Sequence, residues 1–352
     1  MHSSFSNDSA ILVSVIIPAY NAEEYISVAI QSAQAQTIPE IEVIVVDDVS
    51  TDRTAAIVQE FARRDTRVRY ARMAVNSGPA ASRNFGLTLA RGEWIALLDA
   101  DDRFHPHRLE TLVSTGRQAK ADMISDNLLL CDGLNTDGRR LIAEDKLSMP
   151  RSLGFKEFIE GCYYNPKTPK RSTYVFMHPM FNHKFLKSND IRYDARSRND
   201  EDFLLYLDCL LVGAKWYLVP DPMYLYTVRD GSLTDIVSSD DHRLMVDKMR
   251  ILLRDPRVLQ DKALTRAITR HWKLIAPEYY YRIFKDAFQN ANYPALIEIL
   301  SRDKAAFRFV FGQIIIRGST FGHRVILRVL TKRSSRSKGQ YKRQLSTKSL
   351  ST

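Results

Sequence analysis

The chain has 352 residues, 45% of them apolar and 26% charged, a soluble globular composition with length for one large domain or two modest ones. Its three cysteines, Cys131, Cys162 and Cys209, have no C-x-x-C spacing, which argues against a disulfide framework or zinc cage and fits a reducing cytoplasm. The net charge of +10 belongs to the end of the chain: from residue 301 onward thirteen basic residues meet one acid, Asp303, so the body is nearly neutral.

Residues 1–12 form an N-terminal tail whose start lacks a basic stretch followed by an apolar core, so no signal peptide is expected. Val13–Ile17 is a β-branched run read as a buried parallel strand, stopped at Pro18-Ala19-Tyr20-Asn21. Apolar residues at helical spacing predict a helix over Glu23–Gln36. A strand over Ile41–Val46 ends in Asp47-Asp48, followed by a turn and a helix over Thr54–Arg63. Val68–Ala71 is a third strand. Asn76-Ser77-Gly78-Pro79 leads into a helix over Ala80–Ala90, with Gly92 just past its end. The strand Trp94–Leu98 then stops at three acids within four residues, Asp99, Asp101 and Asp102.

Beyond it, the pattern predicts a helix over Pro106–Ala119, a strand over Asp122–Cys131 and a surface hairpin or loop over Asp132–Pro150. Leu153–Gly161 reads as helical, Asn165–Ser172 as a mobile loop over the site, and Tyr174–Leu186 as apolar. A second acidic cluster, Asp200-Glu201-Asp202, opens a helix over Phe203–Val212. Trp216–Val219 and Tyr224–Arg229 follow as strands, and helices dominate beyond Asp240. No run reaches the ~18 apolar residues of a spanning helix; Phe307–Leu330 is interrupted by Arg308, Gln313, Arg317, Arg324 and Arg328. Alternating strands and helices predict a doubly wound, mostly parallel sheet with ligands at the carboxyl ends of its strands.

Three strand ends share that rim: Pro18–Asn21, Asp47–Asp48 and Asp99–Asp102. Two carboxylates about 4 Å apart repel by roughly 4 kcal/mol at an effective dielectric near 20. A hard divalent cation such as Mg²⁺ or Mn²⁺ removes that repulsion; the alternative is a strand followed by an acidic capping turn. Asp47 and Asp48 suit hydrogen bonds from a base or ribose, or a capping turn. Arg83 lies in the first turns of a helix, where the dipole disfavours a cation; a diphosphate, or an acid such as Asp101, would relieve it. The acids at 200–202 satisfy the dipole at a helix start or supply a general base. The histidines have no metal-binding spacing, and neither a P-loop nor a G-x-G-x-x-G motif occurs.

In order and spacing, Val13–Asn21, Val45–Asp52, Asn76–Asn84 and Leu98–Asp102 resemble the successive signatures of family 2 glycosyltransferases, with a weaker match through Asn199–Phe203 and Tyr224–Leu233. Val49 and Asp200 stand where that family usually has glycine. The resemblance implies a GT-A-like α/β fold, a Rossmann-type, mostly parallel sheet flanked by helices, with a helical C-terminal extension. It places a catalytic domain over 13–235, divided into a nucleotide-sugar half (13–103) and an acceptor half (104–235). A helical region at 236–331 and a disordered basic tail at 332–352 follow.

It further implies that Pro18, Ala19, Tyr20 and Glu23 line the nucleotide pocket and that Asp48 bonds the uracil. Arg83 lies beside the nucleotide, Asp99 faces ribose and metal, and Asp101, with Asp102 alongside, holds Mg²⁺ or Mn²⁺. Asp202 is the leading base beside Glu201, and Arg229 approaches the diphosphate or acceptor. The expected reaction is inverting transfer of a hexose, glucose by preference, from a UDP-sugar to a growing, polyprenyl-diphosphate-linked saccharide. Residues 199–234 most resemble bacterial exopolysaccharide enzymes of the succinoglycan type; lipopolysaccharide or capsule assembly is the alternative. The basic segment with interleaved apolar residues suggests peripheral attachment to an anionic inner membrane surface. A nucleotidyltransferase and a nucleic-acid-binding protein are the competing classes, and no nucleic-acid partner is expected.

Overall fold

The computed structural model describes residues 10–133, 135, 137–162, 174–228 and 239–289. The first half alternates strictly: β1 (Val13–Ala19), α1 (Ile26–Gln34), β2 (Ile41–Asp47), α2 (Thr54–Arg64), β3 (Val68–Arg72), α3 (Pro79–Leu89) and β4 (Trp94–Leu97). These strands pair in parallel in the order β3-β2-β1-β4. β-Branched side chains dominate β1 and β2, which are buried on both faces as a helix-covered parallel sheet requires. Ile16 stands opposite both Ile44 and Leu97, so the carboxyl ends of β1, β2 and β4 open on one rim.

The second half continues with β5 (Arg103–Phe104), α4 (Arg108–Ala119), β6 (Met123–Asp132), β7 (Gly138–Arg140), β8 (Arg151–Leu153), α5 (Phe155–Gly161), β9 (Met180–Asn182), α6 (His183–Ser188), α7 (Glu201–Leu211) and β10 (Trp216–Val228). The sheet runs β3-β2-β1-β4-β9-β6-β10-β5, with β7 on β6 and β8 on β10. β6 and β10 are parallel, whereas β5, β7, β8 and β9 pair antiparallel with their neighbours. The α/β, GT-A-like architecture read from sequence is therefore present, with a parallel first half and a mixed second half.

Several boundaries differ from the sequence reading. The two strands expected after residue 215 are one, β10, whose register with β6 shifts on either side of Pro222; proline cannot donate to the ladder, so it marks the irregularity. The segment expected to be helical from Leu153 begins as β8 and turns at Gly154 before α5. β7 folds back on β6, making the polar stretch after Asp132 a hairpin.

α7 begins with the second acidic cluster and is held by rings. Phe158 lies 5.6 Å from Phe203 and 5.4 Å from Trp216, and Tyr206 lies 5.1 Å from Trp216. α8 (Ser239–Leu252), α9 (Pro256–Gln260) and α10 (Lys262–Gln289) follow. Lys248 of α8 pairs with Asp208 of α7, and His271 of α10 stacks on Phe203 at 5.5 Å. The chain divides into compact units at Ile275/Ala276, with α8, α9 and the start of α10 in the first. No helix among the described residues is long and apolar enough to cross a membrane. The loop at 165–172, the basic segment beyond 301 and Arg229 lie outside the described residues.

Candidate active site

The rim is laced before it is functional. At the end of β1, the Asn21 N–H donates to Ser50 Oγ (3.0 Å), the Ala22 N–H to Thr54 Oγ1 (2.8 Å) and the Glu23 N–H to Asp52 Oδ2 (3.0 Å). In return, Asn21 Oδ1 accepts from the Thr51 N–H (2.9 Å) and Glu23 Oε2 from the Arg53 N–H (2.9 Å). Much of the polar text around Asn21 and Ser50–Thr54 thus serves to lock two loops together. Pro18 and Ala19 lie beneath this junction, while Tyr20 is 53% exposed.

Asp47 is buried and accepts from the Ser50 N–H, the Tyr70 hydroxyl and Arg72, which fixes the β2 end. Asp48 accepts the Ser77 and Gly78 N–H groups at 2.8 and 2.7 Å, closing the loop that starts α3. A carboxylate has roughly four acceptor positions, so this anchoring leaves capacity for a base. Val49 adopts a left-handed backbone (φ 66°) at the place where the resemblance leads one to expect glycine.

Arg83, 3% exposed, reaches from α3 to two acids: Nη1 donates to Glu201 Oε1 (2.6 Å) and Nη2 to Asp99 Oδ1 (2.7 Å). The anions that relieve this cation near a helix start are therefore protein carboxylates, one from each acidic cluster. Burial opposes the guanidinium charge, but Asp202, Asp99 and Glu201 outweigh it and hold its pKa well above the ordinary value. Burial pushes Glu201 up to about 7, with Arg83 pulling it down and Asp202 pushing it up. The neighbouring Asn84 exchanges two hydrogen bonds of 2.9 Å with the backbone of Tyr193, whose hydroxyl donates to Asp202 Oδ1 (3.1 Å). The structure thus brings Arg83, Asp99, Glu201 and Asp202 together; Glu201 is buried against Arg83, and Asp202 is the more exposed of the two acids.

Asp102 turns inward. Its carboxylate accepts from the Tyr224 hydroxyl (2.9 Å) and the Thr227 N–H (2.7 Å), tying the acidic turn to β10. Burial, then the charges of Asp101 and Asp99, push its pKa well above the usual range. Asp101 is half-buried on the same turn. Donor atoms of Asp99, Asp102 and His178 all lie within 4.8 Å of one another, a spacing that one ion with ~2.1 Å bonds could bridge after small shifts. The His178 ring is buried, its Nδ1 has no hydrogen-bond partner, and burial lowers its pKa, favouring the neutral imidazole that ligates metals. This donor set fits a divalent cation, and Asp101 is not among the three groups it gathers. Sequence reasoning passed over His178 because no second histidine stands at metal-ligand spacing from it. Its left-handed backbone (φ 38°) leaves no mark in composition.

The family 2 glycosyltransferase model ("Glycosyl transferase family 2") matches residues 14–180, which include both acidic strand ends and Arg83. The succinoglycan biosynthesis protein ExoO of Rhizobium meliloti (strain 1021) is 35% identical over 244 residues, covering 69% of this chain and 68% of that protein. The chain is a family 2 glycosyltransferase. ExoU, a succinoglycan biosynthesis protein of the same organism, is 30% identical over 304 residues, 86% of each chain. Among solved structures, Staphylococcus aureus TarS 1–349 in complex with UDP-GlcNAc superposes with a TM-score of 0.61 at 22% identity, covering 76% of this chain and 80% of that one. That likeness supports the GT-A fold. In this glycosyltransferase the signature stretches before residue 103 therefore form the parallel half of the sheet and its rim, and Arg83 joins that rim to the start of α7.

Proposed function

We propose that the protein transfers a hexose, with inversion, from a UDP-sugar to a hydroxyl of a growing lipid-linked saccharide in exopolysaccharide synthesis. The observation that carries this reading is the Asp99–Arg83–Glu201 bridge, which sets the acidic turn beside the acidic start of α7, where a general base is expected. Succinoglycan proteins among the relatives support the pathway class, and the UDP-GlcNAc complex of TarS supports a UDP-sugar donor.

In this reading Pro18, Ala19, Tyr20, Glu23 and Asp48 surround the nucleotide, and Arg229 approaches the diphosphate or acceptor. The turn Asp99–Asp102 holds Mg²⁺ or Mn²⁺, with Asp101 and Asp102 as the ligands the resemblance implies. When bound, the cation supplies positive charge that offsets the charge of departing UDP. Asp202 acts as base: Tyr193 occupies Oδ1 and orients the carboxylate, leaving Oδ2 to take the proton of the acceptor hydroxyl as it attacks the anomeric carbon. Arg83 keeps Asp99 and Glu201 in place beside the nucleotide.

The test is a UDP-release screen across UDP-sugars with Mg²⁺ or Mn²⁺ and polyprenyl-diphosphate-linked acceptors. One sugar should give acceptor-dependent UDP release. Asp202→Asn should lower that rate by roughly 10²–10⁴-fold with an unchanged thermal transition, and near wild-type turnover would remove Asp202 from the base role. Acceptor-dependent release of pyrophosphate from a nucleoside triphosphate would instead make the protein a nucleotidyltransferase. The +12 segment beyond residue 301 is proposed to hold the enzyme at an anionic membrane. Liposome flotation of the full chain in low and high salt tests this, and salt-independent absence from vesicles would reject it.

A further inference from the structure

Beneath the acidic turn lies a buried assembly that the transfer reaction has not used. Arg108 is fully buried and pairs with the equally buried Asp126 at 2.9 Å. Its guanidinium lies 4.4 Å from the Phe104 ring centroid and 5.1 Å from that of Tyr224. Nη2 of Arg108 donates to the main-chain oxygen of His178 (2.9 Å). The His178 ring then stacks on Tyr224, with centroids 4.4 Å apart and planes 7° from parallel. Tyr224 itself donates to Asp102 and accepts the Asp99 N–H at 3.2 Å. Every part of this assembly fixes His178 from behind: its carbonyl is held, its ring is clamped on one face, and its backbone is left-handed (φ 38°). Its Nδ1 is buried and without a hydrogen-bond partner, and one nitrogen of the ring lies within 4.8 Å of carboxylate oxygens of Asp99 and Asp102.

We infer that His178 is a nitrogen ligand of the divalent cation held at the Asp99–Asp102 turn, with Arg108 and Tyr224 as the residues that position it. The inference rests on the reading above that a metal binds at this turn, and it deepens that reading by fixing ion preference. A site of carboxylates alone suits Mg²⁺, Ca²⁺ and Mn²⁺ alike, whereas an imidazole nitrogen favours transition metals, which places Mn²⁺ ahead of Mg²⁺ here.

The experiment uses the full-length protein and Mn²⁺ as probe, titrated by electron paramagnetic resonance of free Mn²⁺ with and without UDP. His178→Phe keeps a ring to stack on Tyr224 but has no nitrogen; His178→Gly removes the ring and accommodates the left-handed backbone, so at least one variant should fold, as circular dichroism would verify. Both should weaken Mn²⁺ binding by tenfold or more, and the Mn²⁺-over-Mg²⁺ preference should shrink. Spin-echo modulation of the bound Mn²⁺ should show coupling to ¹⁴N in the wild type and lose it in His178→Phe. Wild-type Mn²⁺ affinity in both folded variants, or no ¹⁴N coupling in the wild type, would overturn the assignment. If UDP release is metal-dependent but His178→Phe keeps full Mn²⁺ affinity, the ligand assignment fails and the transferase reading stands. If His178 governs Mn²⁺ affinity but no UDP-sugar turns over, the site stands and the donor reading fails.

Discussion

Arg83 is the residue on which the two acidic clusters depend. Its side chain is 4% exposed and bridges Asp99 and Glu201, whose own side chains are 28% and 8% exposed. Removing one partner of a buried pair leaves a charge without compensation, a change that costs about 3–5 kcal/mol. Arg83→Met is therefore expected to lower unfolding free energy by that order in urea titrations, and Arg83→Lys should recover only part of it because an ammonium lacks the fork that reaches both acids. A loss below about 0.5 kcal/mol would mean that the bridge is not maintained in solution. Val49 makes the opposite case. A β-branched residue at φ 66° carries a left-handed penalty of roughly 1–2 kcal/mol that glycine does not. Val49→Gly should raise stability by up to about 1 kcal/mol, since the half-buried side chain forfeits some contact, and a lowered melting temperature would contradict this. The sequence displayed the anomaly at 49 as a departure from the family pattern. That the backbone there is strained became visible only with the dihedral angle.

The elements that carry the site depend on close approach at the far end of β1. A Cβ on Gly92 would come within 2.5 Å of Ser14 N and 2.8 Å of Val13 C, both backbone atoms that cannot swing aside. Gly92→Ala should therefore force α3 and β4 away from β1 and cost about 1–3 kcal/mol, measurable as a fall in the urea midpoint without change in slope; wild-type stability would show that the chain relaxes there without strain. The same end holds Glu42, buried yet satisfied by Ser14, Arg91 and Arg69. Burial alone would raise its pKa, but those donors lower it. Strands and helices of the first half were legible because alternation, β-branched runs and loop residues agree with one another. β9 and β5 were not legible, since segments of three and two residues are too short to show a period of two. They are strands because neighbours in space offer them hydrogen bonds.

At the scale of the whole molecule, joining two acidic clusters has a signature in pH. Glu201, with a folded pKa of about 7 against an ordinary 4.5, binds more protons in the native state than in the unfolded chain across that interval. Stability contributed by this group is thus full below pH 4.5 and falls as pH rises toward about 7. Asp102, shifted upward for the same reason, acts in the same direction. Glu201→Gln should flatten part of the decline in unfolding free energy between pH 4.5 and 7, followed by urea denaturation at several pH values; an unaltered slope would mean Glu201 titrates normally. The sequence by itself determined the α/β class, the rim of three strand ends and the family, because each of those is written in contiguous residues with local physical causes. Only the tertiary structure decided which groups the acids pair with. Arg83 meets Glu201 across 118 positions of sequence, and Asp102 meets Thr227 across 125, separations over which no periodicity or spacing rule carries information. His178 joins the Asp99–Asp102 turn in the same way: a lone histidine in sequence is directed to that turn by Arg108 beneath it and Tyr224 against its face.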